Sequence, residues 1–400
     1  MNSKSFLKIS NVLFFTFIAL SQPSFAMTSG TDDKMSEEDA QAQTRAIMGN
    51  VYDSFLKVIP YVYSDNTSGD ILKKDPKKKA ELLKDLTDIS EFFQNAKHVM
   101  FLKRPGFKPS LETINSHMAD TISAVKTDNF DFAQKRMRAM TALCISCHSQ
   151  LPESVSKNAF GSSVKKSSRE TFESDYAYAN YLFLVRRFDE AEKYFDLALD
   201  SALKTSSDHV IYDSLRKEVS IHTKINFNFN KAQAFIEKYS QDKRLPILAK
   251  NILGSWKSGL KSWEKFDIAK VKSTSTFIKT YLSPMEEKSS VNLEGANDIT
   301  LLISSGVLTK FLTENPQSPL VPEALYWLSV AERRLSTSYF FSLSDLYLKD
   351  CVMLYPKSKF ALKCYNLYAE NVEFGYSGSS GTDIPEGEKN ELKKLKNYIK

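Results

Sequence analysis

Between residue 35 and about residue 152, four successive stretches each carry one apolar stripe whose members alternate steps of four and three. The first reads Met48, Val51, Phe55, Val58, Val62, and the second Leu82, Leu86, Ile89, Phe93, Ala96, Met100. The third reads Leu111, Ile114, Met118, Thr121, Val125, and the fourth Ala133, Met137, Met140, Cys144, Cys147. This spacing predicts four amphipathic helices, each with one face to hide. The punctuation agrees. Ser36 with Asp39 resembles a capping box, and Asp75-Pro76 offers an N-cap followed by proline at the first helical position. Pro105-Gly106 ends the second stretch, Pro109-Ser110 opens the third, and Asp128-Asn129 separates the third from the fourth. Short connections make neighbours antiparallel, so the stripes predict a four-helix bundle.

The fourth stripe carries chemistry. Cys144 and Cys147 are three apart, which sends both thiols from one helical face, and His148 follows at once. Two thiols at this separation suit two thioether bonds to the vinyls of a haem, and the adjacent imidazole can reach the iron from one side. Cys144-Ile145-Ser146-Cys147-His148 has the form of the haem c attachment signature. A zinc site would need further ligands, and no second Cys/His cluster accompanies this one. A thioredoxin-like redox pair belongs beside a βαβ unit, whereas this pair ends an amphipathic helix. A chance occurrence is the remaining alternative. The expectation is one covalent haem c on Cys144 and Cys147, with His148 as an axial iron ligand.

A haem motif closing the last helix of such a bundle resembles the class II cytochromes c, meaning cytochrome c′ and its low-spin relatives. The resemblance rests on the Ala133 to His148 stretch and on Thr44-Arg45-Ala46-Ile47-Met48, similar to the family segment that faces the iron. In low-spin members a methionine there is the sixth ligand; in cytochrome c′ that side stays open. The resemblance implies Met48 as sixth ligand, and Arg45, one turn earlier, stands near enough to pair with a haem propionate. The second and third helices carry no signature of the family.

Lys4 and Lys8, the apolar run Val12 to Leu20, and Ser24-Phe25-Ala26 form a secretory signal with a cleavage site. The run is too short to span a bilayer, and no later segment has enough consecutive apolar residues to cross a membrane. The expectation is therefore a soluble periplasmic protein. Removing residues 1–26 leaves 374 of the 400 and lowers the net charge from +6 to +4, since the segment holds two lysines and no acid. That length suggests two domains. So mild a charge gives no case for nucleic acid. Lys73, Lys74, Lys77, Lys78 and Lys79 read as a solvated helix entrance, although an acidic redox partner could use them.

After a Ser- and Lys-rich linker, Ser154 to Arg169, the pattern from about 168 to 375 stays helical but changes style. Tyr178 to Leu182 leads through Phe188-Asp189-Glu190-Ala191 to Phe195 and Ala198, an order resembling the tetratricopeptide helix pair. Weaker copies place Phe229, Ala232, Ile236 and Tyr239, and then Phe266 and Ala269, in the same order. Asn315 to Pro319 before Pro322 to Leu328, and Tyr355 to Ser358 before Phe360-Ala361, resemble the turn-and-helix pattern of such proteins. The resemblance implies an all-α solenoid offering a concave partner surface; the alternative is helix pairs that only buttress the haem domain. Cys351 and Cys364 are centred on the Pro356 to Ser358 turn, so two antiparallel helices would bring them level. A disulfide there competes with two buried free thiols. The tail, 376–400, begins as a Gly/Ser linker and ends in a short amphipathic helix with Leu392, Leu395 and Ile399 on one side.

Electron transfer with a redox partner protein, docked through the repeat region, is the first expectation of function. A five-coordinate, gas-binding or gas-sensing haem protein is the second, and a scaffold with a structural haem the third. An enzyme is not expected. A peroxidase wants a polar distal acid–base group where the first stripe has Met48 and Val51, and no hydrolase triad, phosphate loop or carboxylate pair stands out. His98 and His117 fall one position off the stripes and read as flank histidines; His209 and His222 lie in the repeat region.

Overall fold

The computed structural model describes residues 37–63, 72–95, 108–150, 167–271, 273–286, 295, 297–335, 339, 343–379 and 381–399. At some helical positions, among them 45 and 142–150, it describes the backbone alone. The described residues are overwhelmingly α-helical. The expected signal, most of the linker and His98 lie outside them.

The four striped stretches are helices: α1 (Glu37–Tyr63), α2 (Pro76–Asn95), α3 (Lys108–Lys126) and α4 (Phe130–Gln150). Asp75 caps α2, its carboxylate accepting from the amides of Lys77 and Lys78 at 3.1 Å each. Between α3 and α4 the chain reverses in three residues, with Asp128 in the left-handed region at φ 59°. Each of these helices packs on the next, and α1 returns to α4. Their stripes meet: Val51, Phe55, Val58, Val62, Leu82, Leu86, Ile89, Phe93, Ile114, Met118, Thr121, Val125, Ala133, Met137 and Met140 are all buried. Met48 is half-buried against the same core. Lys79 reaches Asp128 at 2.6 Å, so the start of α2 lies beside the end of α3 and the two run antiparallel. Gln134 donates to the Tyr61 carbonyl at 3.1 Å and Arg138 to that of Val62 at 2.9 Å, so α4 begins where α1 ends.

The rest of the chain is built from further helix pairs. Helices α5 (Asp175–Leu184) and α6 (Phe188–Thr205) pack together, as do α6 and α7 (Asp208–Ser220), and α8 (Phe229–Ser240) and α9 (Ile247–Lys261). Ser174 and Asn228 cap α5 and α8 through side-chain oxygens. A π-helical turn over Ile221–Ile225 prolongs α7, and a second, Ile278–Leu282, interrupts the helical segment 274–286. Then α10 (Asp298–Glu314), α11 (Val321–Arg333), α12 (Ser344–Leu354) and α13 (Ala361–Gly375) pack each on the next. The first turn of α11 holds Pro322, where a missing N–H costs nothing. Helix α5 and the first three turns of α10 are buried nearly all round. Both also touch α4, and α12 touches α3. The core therefore runs without a break from α1 to the last helix.

Two charges are sealed inside. Lys224, on the first π turn, meets Glu332 of α11 at 3.2 Å, and both side chains are almost wholly buried. Ser305 donates to the same carboxylate at 2.9 Å, and the Leu343 amide at 3.2 Å. Gly306 lets α10 approach this turn: a Cβ there would stand 2.4 Å from the Lys224 carbonyl oxygen.

Two expectations are adjusted here. The third repeat copy is not on a paired helix, because Phe266 lies in the irregular stretch after α9 and Ala269 in a single 3₁₀ turn over Ile268–Lys270, exposed. Asp267 caps that turn locally, its carboxylate accepting from the Ala269 amide. The Gly/Ser start of the tail also takes a shape, pairing β1 (Ser377–Gly378) with β2 (Gly381–Thr382) antiparallel. The closing helix α14 (Glu386–Tyr398) docks on α12 and α13 with Leu395 fully buried.

A disulfide joins Cys351 of α12 to Cys364 of α13, with Cα atoms 6.3 Å apart and both residues fully buried. Peptide mapping without reduction is expected to release the two segments as one linked fragment. Cys364→Ala is expected to lower the unfolding free energy by about 3 kcal/mol, read from urea denaturation. Equal stability of the variant and the reduced wild type would be the consistency check.

Candidate functional site

The candidate site is the C-terminal end of α4 and what faces it. Of Cys144, Cys147 and His148, the structure describes a helical backbone continuous to Gln150; their side chains, and that of Arg45, lie outside the described residues. Upstream on α4 the same stripe is buried at Ala133, Met137 and Met140, and positions 144 and 147 continue it at steps of four and three.

The helix register brings the first stripe to this end. Met48 precedes Tyr61 by 13 residues, and position 147 follows Gln134 by 13, with Gln134 bonded to Tyr61. On antiparallel helices of equal rise, Met48 falls near the level of the Cys147–His148 step, the Arg138–Val62 bond giving a register a few residues further along α4. The donor set fits a haem c: two thiol positions one turn apart, an adjoining imidazole position, and a thioether facing the same core. The bond to Tyr61 that sets this register comes from a residue outside both motifs.

The described histidines have other occupations. His117 of α3 is half-buried, and its Nδ1 accepts from Arg136 of α4 at 3.3 Å; Arg136 also meets Asp120 at 2.7 Å. Burial and the adjacent guanidinium hold His117 below the usual imidazole value. His209 packs edge-on against Tyr176 at the surface. His222 is fully buried on the first π turn, with Nδ1 lacking a hydrogen-bond partner. Burial, then the charge of Lys231, pushes its pKa down to about 4.

That burial has a pH consequence. Between its unfolded value near 6.5 and about 4, His222 binds a proton in the unfolded chain and not in the folded one. Its contribution is intact above 6.5 and is lost as pH falls, by about 2 kcal/mol at pH 5. Glu218, one turn earlier, has its carboxyl pushed well above the usual carboxylate range by burial and acts in the opposite sense, its contribution falling as pH rises. Urea midpoints at pH 7 and pH 5 are expected to drop less for His222→Gln than for the parent chain.

The signal for the junction of the two regions was weaker. Tyr52 of α1 and Tyr181 of α5 hydrogen-bond through their hydroxyls; Tyr52 belongs to no motif, and the repeat-like stretch that holds Tyr181 does not point to this partner. Among the described residues no group of three or more His, Cys, Asp or Glu side chains is arranged to hold a metal ion, and no helix is long and apolar enough to cross a membrane. No protein-family model matches the chain, and neither does a curated protein or a solved structure.

Proposed function

We propose that this chain is an exported c-type cytochrome of the class II kind, carrying one covalent haem on Cys144 and Cys147 with His148 as axial ligand, and that it transfers electrons. The observation that carries the reading is the Cys144-x-x-Cys147-His148 motif on a helix whose upstream stripe is buried, near the level of a half-buried Met48 on the antiparallel α1. In this reading α1 to α4 form a four-helix bundle, and the following helix pairs form a tetratricopeptide-like solenoid that docks a redox partner. A haem held there takes up and gives back one electron. The chain's part would be to anchor it through Cys144 and Cys147, to hold it with His148 and Met48, to offer Arg45 to a propionate, and to exclude water.

The disulfide supports export, because such bonds persist in oxidising compartments and are rare in a reducing cytosol. The alternative reading, an open sixth side that binds a gas, is favoured by one observation: Met48 is only half-buried.

The test uses full-length protein made with cytochrome c maturation machinery. Acid–acetone extraction is expected to leave the haem on the polypeptide, and the intact mass to show one haem on a chain beginning near Met27. Colourless mature protein would overturn the reading.

A further inference from the structure

The face of α1 that carries Met48 is gripped from outside the four-helix region. Tyr52 is one turn beyond Met48, at i+4, so both residues belong to one face of the helix. Its hydroxyl is bonded to that of Tyr181 on α5, and both rings are buried, at 6% and 1% exposure. The Tyr181 hydroxyl also accepts from the Ser167 amide at 3.2 Å, and Tyr178 donates to the Ser167 carbonyl at 3.2 Å. Ser167 is the first described residue after α4, so one node joins α1 to the start of the helix pairs. Phe172 and Tyr178 pack the Tyr181 ring, with centroids 5.0 and 5.8 Å away.

We infer that Tyr181, acting through Tyr52, is a positioning residue that sets the reach of Met48 toward the iron. The inference rests on the function proposed above. A helix is stiff over a single turn, so the hydroxyl bond at Tyr52 fixes the rotation of α1 about its axis where Met48 leaves it. Because α5 belongs to the helix pairs assigned to partner docking, the same bond lets events on those helices reach the sixth side of the haem. Neither aromatic residue touches the reacting atoms; each acts by holding α1.

Haem-loaded, full-length protein carries the test, with Tyr52→Phe, Tyr181→Phe and the double variant. Tyr368→Phe on distant α13 serves as control. Losing one buried hydrogen bond worth about 1 kcal/mol shifts the Met48-bound against Met48-free balance about fivefold. Carbon monoxide association should therefore quicken about fivefold in each single variant. The double variant should be no faster, the control should be unchanged, and the spectrum should gain high-spin character in step. A purely structural role would lower the melting temperature and leave the gas rate and spin state alone, which overturns the inference. So would additive effects in the double variant. A double-mutant cycle on urea unfolding, which needs no haem signal, must also return coupling between the two hydroxyls; zero coupling overturns the inference as well. Protein without covalent haem would fail the function proposed above before any variant is compared. Covalent haem that is already five-coordinate in the parent leaves attachment standing and ends the role of Tyr181.

Discussion

Glu332→Ala is expected to lower the unfolding free energy by about 3–5 kcal/mol, the scale of removing one partner from a buried ion pair. Lys224 has almost no exposed surface, and burial already depresses its pKa against the opposing pull of Glu332. Without the carboxylate the ammonium must either stay charged in an apolar core or give up its proton. The Ser305 hydroxyl and the Leu343 amide lose an acceptor at the same time. The double variant Lys224→Met with Glu332→Leu is expected to recover most of the loss, since apolar residues of similar volume replace such pairs at little cost. Urea denaturation monitored by circular dichroism measures both. A single variant within about 1 kcal/mol of the parent would mean that the pair is not sealed as the structure draws it. The pair joins the π turn after α7 to α11, so this prediction tests how the second half of the chain is held to itself.

What could be read from the sequence, and what could not, follows the range of the interaction. Every described member of the four apolar stripes is buried or half-buried, because a step of three or four reports one helix face and a face needs only local order. The Asp75 cap was legible for the same reason: its partners, Lys77 and Lys78, are two and three residues away. Lys224 and Glu332 are separated by 108 residues, and Tyr52 and Tyr181 by 129. Nothing in local spacing marks which lysine of many loses its water, or which tyrosine of α1 finds a partner in another helix pair. The third repeat copy misled for the opposite reason. An aromatic and an alanine three apart are compatible with a helix, but Asp267 caps a single turn there and no second helix forms over Phe266 and Ala269. The tail shows the same limit: Leu395 belongs to an apolar stripe in the sequence, yet only the packing on α12 and α13 tells whether that stripe is covered by the chain itself. For the candidate site the motif is legible in the sequence, since three residues of two types at fixed spacing define it. The structure adds the Gln134–Tyr61 and Arg138–Val62 bonds, which bring Met48 toward the end of α4 that carries that motif.

Met48→Ala is expected to turn a low-spin, six-coordinate haem into a high-spin one and to open it to carbon monoxide, and this separates the electron carrier from the gas binder. Met48 sits on the stripe that faces the core of α1 to α4, half-buried, near the level of the Cys144-x-x-Cys147-His148 motif on α4. A thioether binds iron weakly but raises the potential relative to an open or nitrogen-ligated site, a property suited to a carrier. Losing such a bond, at roughly 3 kcal/mol, frees the sixth side on the order of a hundredfold, and the carbon monoxide rate should rise by that factor. Packing alone is the competing role for a methionine on an apolar stripe. Met48→Leu separates the two roles, because Leu keeps nearly the same volume and costs little in the core. If Met48 only packs, Met48→Leu retains the parent spectrum and gas rate. If Met48 is the ligand, Leu and Ala give the same high-spin spectrum and the same fast gas rate, while Ala alone loses stability. Arg45→Gln, aimed at a propionate, should leave the spin state as it is in the parent, because no atom of Arg45 is assigned to the iron. A parent protein that is high-spin and five-coordinate before any substitution removes the carrier reading and leaves the gas binder, with Met48 lining the open side.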